Sequence, residues 1–287
     1  MLEQQSIPND PTFQSMHNII HIDEKWFYMT KKSQTYYLAV GEEPPHRTCK
    51  NKNYVGKVMF LVAVARPRFD AQGNEIFSGK IGLFPFVRKE AARRRSVNRS
   101  RGTMETKPIT SITKEVMKSF FIDKVLPKIK AKWPICHANE TIFVQQDNAP
   151  CHIDNNDEDF QMAASDCGFD IRLVSQPPNS PDLNILDLGY FRAIQALQYQ
   201  EPPKTIEDLV RAVENSFEVY TSKQLNRIFL TLQATMVDTM KDKGSNKYKP
   251  SHLKKDVMER RGELPNQLKC DPYLVQEVLE HLKEVDG

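Results

Sequence analysis

The sequence predicts an α/β protein in which helices flank a mixed sheet, and three observations predict it. Strand-type segments crowd the chain up to Ala65, and helix and strand patterns alternate from Ile112 onward. That order suits layers joined by crossover connections. The 287 residues are 39% hydrophobic and 27% charged, enough to bury a core and unlike a disordered or collagen-like chain. The longest apolar run, Val58 to Ala65, falls far short of the ~20 residues that span a bilayer, so no membrane partner is expected. The length suits either two domains of ~150 residues or one α/β domain with additions.

Residues 1–16 are polar, contain Pro8 and Pro11, and read as a linker remnant without a helical repeat. Met1 to Gln5 lacks the basic start and apolar segment of a signal peptide. Ile19 to Phe27 (IIHIDEKWF), Thr35 to Val40 (TYYLAV) and Lys57 to Ala65 (KVMFLVAVA) are rich in β-branched and aromatic residues and predict strands. The last is apolar throughout, as a strand buried on both faces would be. Pro67 to Pro108 combines turn chemistry with a dense basic stretch and reads as an insertion. Apolar residues at Ile112, Val116, Phe120, Val125 and Ile129 predict a helix that stops near Trp133-Pro134. Thr141 to Gln146 is a short strand running into Asp147 and breaking at Asn148-Ala149-Pro150. Asp157 to Cys167 predicts a helix with acids in its first turn. Phe169 to Val174 predicts a strand, Asn184 to Gln200 a helix, and further helices follow from Thr205 to about Lys241.

Forty Lys and Arg against 37 Asp and Glu give +3 overall, which names no partner until the charge is localised. Five cysteines with no CxxC pair argue against a disulfide framework. The dipeptides Cys136-His137 and Cys151-His152 lack the ligand spacing of structural zinc sites. Arg88, Lys89, Arg93, Arg94, Arg95, Arg99 and Arg101 lie within fourteen residues that contain a single acid, Glu90. Such a run is a candidate phosphate-binding surface. It equally reads as a solvated charge run or a nuclear-import signal. Lys241 to Arg261 is also basic and reads as plain surface.

Three aspartates stand out by context. Asp23 lies within an apolar strand, Asp147 ends another, and Asp187 sits in NILDLGYF. Ionised carboxylates in such surroundings are costly unless a cation meets them. A divalent metal pair of the kind used in phosphoryl transfer would supply that charge. Each acid also has an ordinary reading. Asp23 could pair with a helix lysine, Asp147 could cap its own turn, and Asp187 could be the third-position acid of a capping box begun by Asn184. Trp26 and Phe27 read as core packing rather than base stacking. His152 reads either as a group orienting metal-bound water or as a hydrogen-bonded turn histidine.

The words HIDEKWF, VQQDNAPCH and PPNSPDLNILDLGYF, in that order, resemble the mariner-like transposases. That family's pattern is an (I/V)-D-E strand, a QQDNA-x-x-H turn and SPDLN-x-x-(D/E). The thirty-nine residues between Asp147 and Asp187, with the words GKVMFLVAVARPRFD, FVRKE and METKPI, resemble its plant, DDD-type branch. The resemblance spans roughly residues 17 to 240. It implies a ribonuclease H-like catalytic domain over about 17–200 with an insertion near 67–110, then a C-terminal helical extension over 201–287. It also implies that Asp23, Asp147 and Asp187 are catalytic and hold two Mg²⁺ or Mn²⁺ ions, supported by Asn148 and His152. DNA would be the partner, as transposon terminal repeats and target, with a homodimer allowed and the nucleus as location. The implied reaction is strand cleavage at the transposon ends followed by strand transfer, in which Asp187→Glu would disturb the metal spacing.

Two departures qualify this. The paired helix-turn-helix modules that usually precede the catalytic domain are not found in these residues, and Pro150-Cys151 replaces Arg-Pro before His152. The first leaves open a truncated or domesticated remnant that binds nucleic acid without cutting it. A hydrolase of RNA–DNA hybrids on the same fold is a third reading.

Overall fold

The computed structural model describes residues 1–30, 39–43, 55–95, 97, 99–165, 168–245, 247–249 and 251–285. Strand β1 (Ile19–Tyr28) and strand β2 (Lys57–Ala65) form where the β-branched and aromatic residues run. They pair antiparallel, with Asp23 opposite Val62 and Lys25 opposite Phe60. Most of the strand expected at Thr35 to Val40 lies outside the described residues. Short strands β3 (Arg68–Phe69) and β4 (Glu75–Phe77) form a separate hairpin, followed by β5 (Lys80–Pro85). Strand β5 pairs antiparallel with β2 and is an edge of the central sheet. Part of the expected insertion is therefore structural, because Ile81, Gly82 and Phe84 are buried there. Gly79, at φ +77°, makes the turn into β5; a Cβ there would lie 2.2 Å from the Ala65 carbonyl oxygen.

Strands β6 (Val87–Ala91) and β7 (Met104–Pro108) form a two-stranded ribbon outside that sheet. Helices α1 (Lys114–Phe120) and α2 (Leu126–Lys132) are joined through a π-type turn at Phe121–Val125, and Thr113 caps the first. Strand β8 (Ile142–Gln146), helix α3 (Glu158–Ser165) and strand β9 (Ile171–Ser175) follow. The central order is β5-β2-β1-β8-β9, with β1, β8 and β9 parallel to one another.

Helices α4 (Phe191–Gln198), α5 (Ile206–Val219) and α6 (Ser222–Lys241) follow, then α7 (Lys255–Arg260) and α8 (Pro272–Val285). The sheet separates two cores, and the period-2 alternation of strands assigns β1 residues between them. Ile20 and Ile22 pack with α1, α2 and α3, through Met117, Phe121, Ile129 and Phe160. Ile19 and Phe27 pack on the other side with Tyr190, Leu209, Phe217 and Phe229. Helices α5 and α6, in the C-terminal helical part that follows residue 201, cover one sheet face with their apolar stripes.

Residues 1–16 also differ from a linker. Phe13 is fully buried and Met16 nearly so. The buried Arg66 guanidinium donates to the Ser15 carbonyl (2.7 Å), the Asn266 carbonyl and Asn226 Oδ1 (3.0 Å), fastening this segment to the helical layer. Two apolar anchors and one buried cation outweigh the polar composition of the segment. Among the described residues, no helix is long and apolar enough to cross a membrane.

Candidate active site

The register of the sheet brings the first two aspartates level. His21 pairs with Gln145 across parallel strands, so Asp23 and Asp147 stand two residues further along on neighbouring strands. Both have odd numbers, like Ile19 and Phe27, and face the helical layer that carries Asp187. Asp187 sits on a π-type helical turn, Leu186–Tyr190, immediately before α4. Such turns place a side chain where a regular helix would not.

Asn184 fixes that turn to β1. It is buried, its Nδ2 donates to the Ile22 carbonyl (3.2 Å), and its Oδ1 accepts from the Leu186 amide (3.1 Å). Gln145 Nε2 donates to the Leu183 carbonyl (3.0 Å), tying β8 to the same approach. The capping-box role considered for Asp187 is not the arrangement seen: the Asn184 amide donates to the Pro181 carbonyl (3.0 Å). Asp147 does cap its own turn, accepting from the Ala149 amide (2.9 Å). That turn is held further by Asn148, whose Nδ2 donates to the Gln176 carbonyl (2.9 Å).

The three carboxylates act on one another. Burial first, then the charges of Asp187 and Glu24, and finally Asp147, push the Asp23 carboxyl up to about 8, against the Glu24 amide that donates to it. Asp187 is also raised. Its partial burial leads, Lys25 and a hydrogen bond with Asp23 pull it down, and Asp147 and Asp182 push it up. Two neighbouring carboxyls that are both raised in this way carry negative charge that their surroundings do not balance. Among the described residues, no three His, Cys, Asp or Glu side chains stand close enough together to hold a metal ion as they are placed. The trio is an open cluster, sensed through charge and one hydrogen bond. Oxygen donors carrying surplus negative charge suit a hard divalent cation such as Mg²⁺ or Mn²⁺, so the residues present fit such an ion.

His152 lies on the far side of Asp147. Its side chain is 4% exposed; Nε2 sits 3.1 Å from the Glu24 carboxylate and Nδ1 2.8 Å from Asp147 Oδ1. Burial opposes its charged form, but the hydrogen bond and charge of Glu24, then the carbonyl and carboxylate of Asp147, raise its pKa to about 9. As an imidazolium it donates from both nitrogens and clamps Asp147 to the strand that bears Asp23. Glu24, Lys25 and Gln145 are not singled out by the sequence, and Asn184 reads there only as a helix cap, though each sits inside one of the three motif words. Trp26 is half-buried under the Lys57 ammonium, 4.1 Å from its ring centroid, whereas Phe27 is fully buried.

The basic stretch lies on the β6–β7 ribbon and its tip. Among the described residues, no hydrogen bond or ion pair is seen between it and the three aspartates.

No protein-family model matches the chain, and no curated protein sequence matches it. Solved structures do. A Mos1 transposase paired-end complex with left transposon end aligns at TM-score 0.56 and 18% identity, over 81% of this chain and 56% of that one. A Mos1 mariner paired-end complex with Mn aligns at TM-score 0.56 and 15% identity, over 82% and 57%. A Mos1 strand transfer complex aligns at TM-score 0.56 and 17% identity, over 81% and 56%. The chain spans a little over half the length of these structures. At such identity the likeness is one of fold: a ribonuclease H-like mixed sheet flanked by helices.

Proposed function

We propose that this chain is the catalytic part of a mariner-like transposase of the plant, DDD-type branch. It cuts DNA at transposon ends and joins the freed 3′-hydroxyl to target DNA in the nucleus, with a homodimer as the working assembly. The observation that supports this reading is the sheet register that sets Asp23 level with Asp147, together with the mutual charge effects among Asp23, Asp147 and Asp187. The motif words add to it, as does the fold shared with a transposase solved with a transposon end and with Mn.

Asp23 and Asp147 would hold a shared pair of Mg²⁺ or Mn²⁺ ions, and Asp187 would complete the second. When bound, such ions activate the attacking oxygen and steady the leaving oxygen in phosphoryl transfer. The chain's own residues prepare this. Asn184 holds the Asp187 turn against β1, His152 with Glu24 orients Asp147, and Lys25 balances part of the charge on Asp187.

The test is nicking of transposon-end DNA with Mg²⁺ or Mn²⁺, comparing the chain with Asp147→Asn. The parent nicks only with metal, and the variant is expected to lose on the order of 10²-fold or more, as when a principal electrostatic group is removed. Equal nicking by both would refute the site. DNA binding without metal-dependent nicking by either protein would refute catalysis and favour the non-catalytic remnant.

A further inference from the structure

The ribbon sorts its own basic residues. Glu90 meets Arg88 (3.4 Å), Arg93 (3.5 Å) and Lys107 (3.7 Å). Glu105 pairs with Arg99 and lies 3.9 Å from Lys107. Lys89 donates to Thr106 Oγ1 (2.6 Å) and lies 3.8 Å from Glu207 of α5. Arg94, Arg95 and Arg101 have no such partner among the described residues, and all three are exposed. The basic run is thus divided into ion-paired positions, Arg88 and Lys89 on the ribbon with Arg93 and Arg99 in its tip, and three unpaired guanidiniums in that tip.

The ribbon is anchored. Phe86 at its root is fully buried, its amide donates to the Met59 carbonyl (2.8 Å), and its carbonyl accepts from the Ile109 amide (2.8 Å). Glu207 Oε1 also accepts from the Thr106 amide (3.1 Å). The two-stranded ladder continues past β6 and β7, as the Ala92 amide donates to the Thr103 carbonyl (2.8 Å). Its root also has a defined place. Strand β5 runs parallel to β1, and its last residue, Pro85, pairs with Phe60, which in turn pairs with Lys25. The chain therefore leaves the sheet from its outer strand, two strands from β1, at the same end of the strands as Asp147.

We propose that Arg94, Arg95 and Arg101 form a backbone clamp that grips duplex DNA beside the carboxylate site. This rests on the reading of the site as a DNA-cutting one. Unpaired guanidiniums donate in planar forks to phosphate oxygens, and a two-stranded ribbon is narrow enough to approach a major groove. The ion-paired Arg88, Lys89 and Arg99 serve the ribbon's own structure.

The test is binding of the full chain to a labelled duplex in EDTA, followed by fluorescence anisotropy across a salt series. Two variants remove equal charge: Arg94→Gln/Arg95→Gln/Arg101→Gln at the unpaired tip positions and Arg88→Gln/Lys89→Gln/Arg99→Gln at ion-paired positions of the ribbon. Each lost phosphate contact should flatten the slope of log K against log salt by ~0.9. The tip variant should therefore lose up to ~2.7 of slope and on the order of 10²-fold in affinity near 0.1 M salt. The ribbon variant should lose less than about one contact's worth of slope. Equal losses in both would show a general field with no clamp and would overturn the proposal. Unchanged DNA binding by the tip variant with lost nuclear accumulation would overturn it in favour of an import signal. Because binding is read without metal, a failed nicking experiment leaves this result standing, and a failed clamp leaves the carboxylate reading standing.

Discussion

Replacing Asp23 with Asn should stabilise the metal-free protein. The substitution removes a half-buried carboxyl that Asp187, Glu24 and Asp147 all disfavour as an anion, while its side-chain oxygen can still accept from the Glu24 amide. In the unfolded chain the carboxyl ionises near its ordinary value; in the fold it does so only at about 8. The folded state therefore binds more protons across that interval, and stability falls as pH rises through it. At about 1.4 kcal/mol per pH unit, reaching pH 7 costs at most roughly 4 kcal/mol. Solvent at the open rim and relaxation of the cluster bring the expected gain from Asp23→Asn to about 1–3 kcal/mol. For a chain of this size that is a rise in melting temperature of roughly 2–8 °C. The assay is thermal unfolding in EDTA from pH 5 to 8, repeated with Mg²⁺. The variant should melt higher than the parent near neutral pH, with the gap closing towards pH 5. Mg²⁺ should raise the parent more than the variant, because a bound cation offsets the same repulsion. A variant that melts at or below the parent in EDTA, or an equal Mg²⁺ shift in both, would refute the reasoning.

Arg66→Met should destabilise the protein by about 1–3 kcal/mol: three partly buried acceptors lose a charged donor, with water replacing some of those bonds and the cost of burying the charge removed. Chemical denaturation measures it, and hydrogen exchange should speed up across residues 1–16; unchanged stability would show that the acceptors find other donors. His17 is depressed to about 4 by burial and by Arg66, Arg68 and His137, with Glu140 opposing. The unfolded chain therefore takes up the proton first, and stability is lost as pH falls from about 6.5 towards 4. His17→Gln should shrink the drop in urea midpoint between pH 7 and pH 5, and an identical drop would count against this. Asp187→Glu should abolish strand transfer, because the turn is pinned by Asn184 and a longer side chain cannot retreat. Full strand transfer by that variant would discard the assigned geometry.

Much of the frame is legible in local pattern. Lys57 to Ala65 is a strand with the expected ends, and the Ile112 to Lys130 periodicity matches the run from α1 to α2. What was missed depends on contacts remote in sequence. Phe13 and Met16 are scattered apolar residues in a mostly polar segment, and their burial together with Arg66, reaching both Ser15 and Asn266, shows why that segment folds down. Strand β5 reads as part of an insertion because glycine and turn residues surround it, yet its pairing with β2 sets its place. The basic stretch shows its charge in sequence but not its pairing, because Glu105 and Glu207 lie beyond the run they neutralise.

The site itself shows why motif words outperform spacing. In HIDEKWF, alternation alone puts Asp23 and Lys25 on one face and Glu24 on the other, but it cannot say which face meets a helix. The parallel register decides, because pairing His21 with Gln145 aligns Asp23 with Asp147 and not with the amide before it. A slip of one residue would turn Asp147 to the opposite face and leave Asp23 without its neighbour. Gln145 and Asn184 guard against this, each spending a side-chain amide on the backbone of another motif. His152 then uses the remaining face, reaching Glu24 and Asp147 together. Each motif thus pairs its acid with a residue that fixes another motif's acid, so the words occur together because none positions its carboxylate alone.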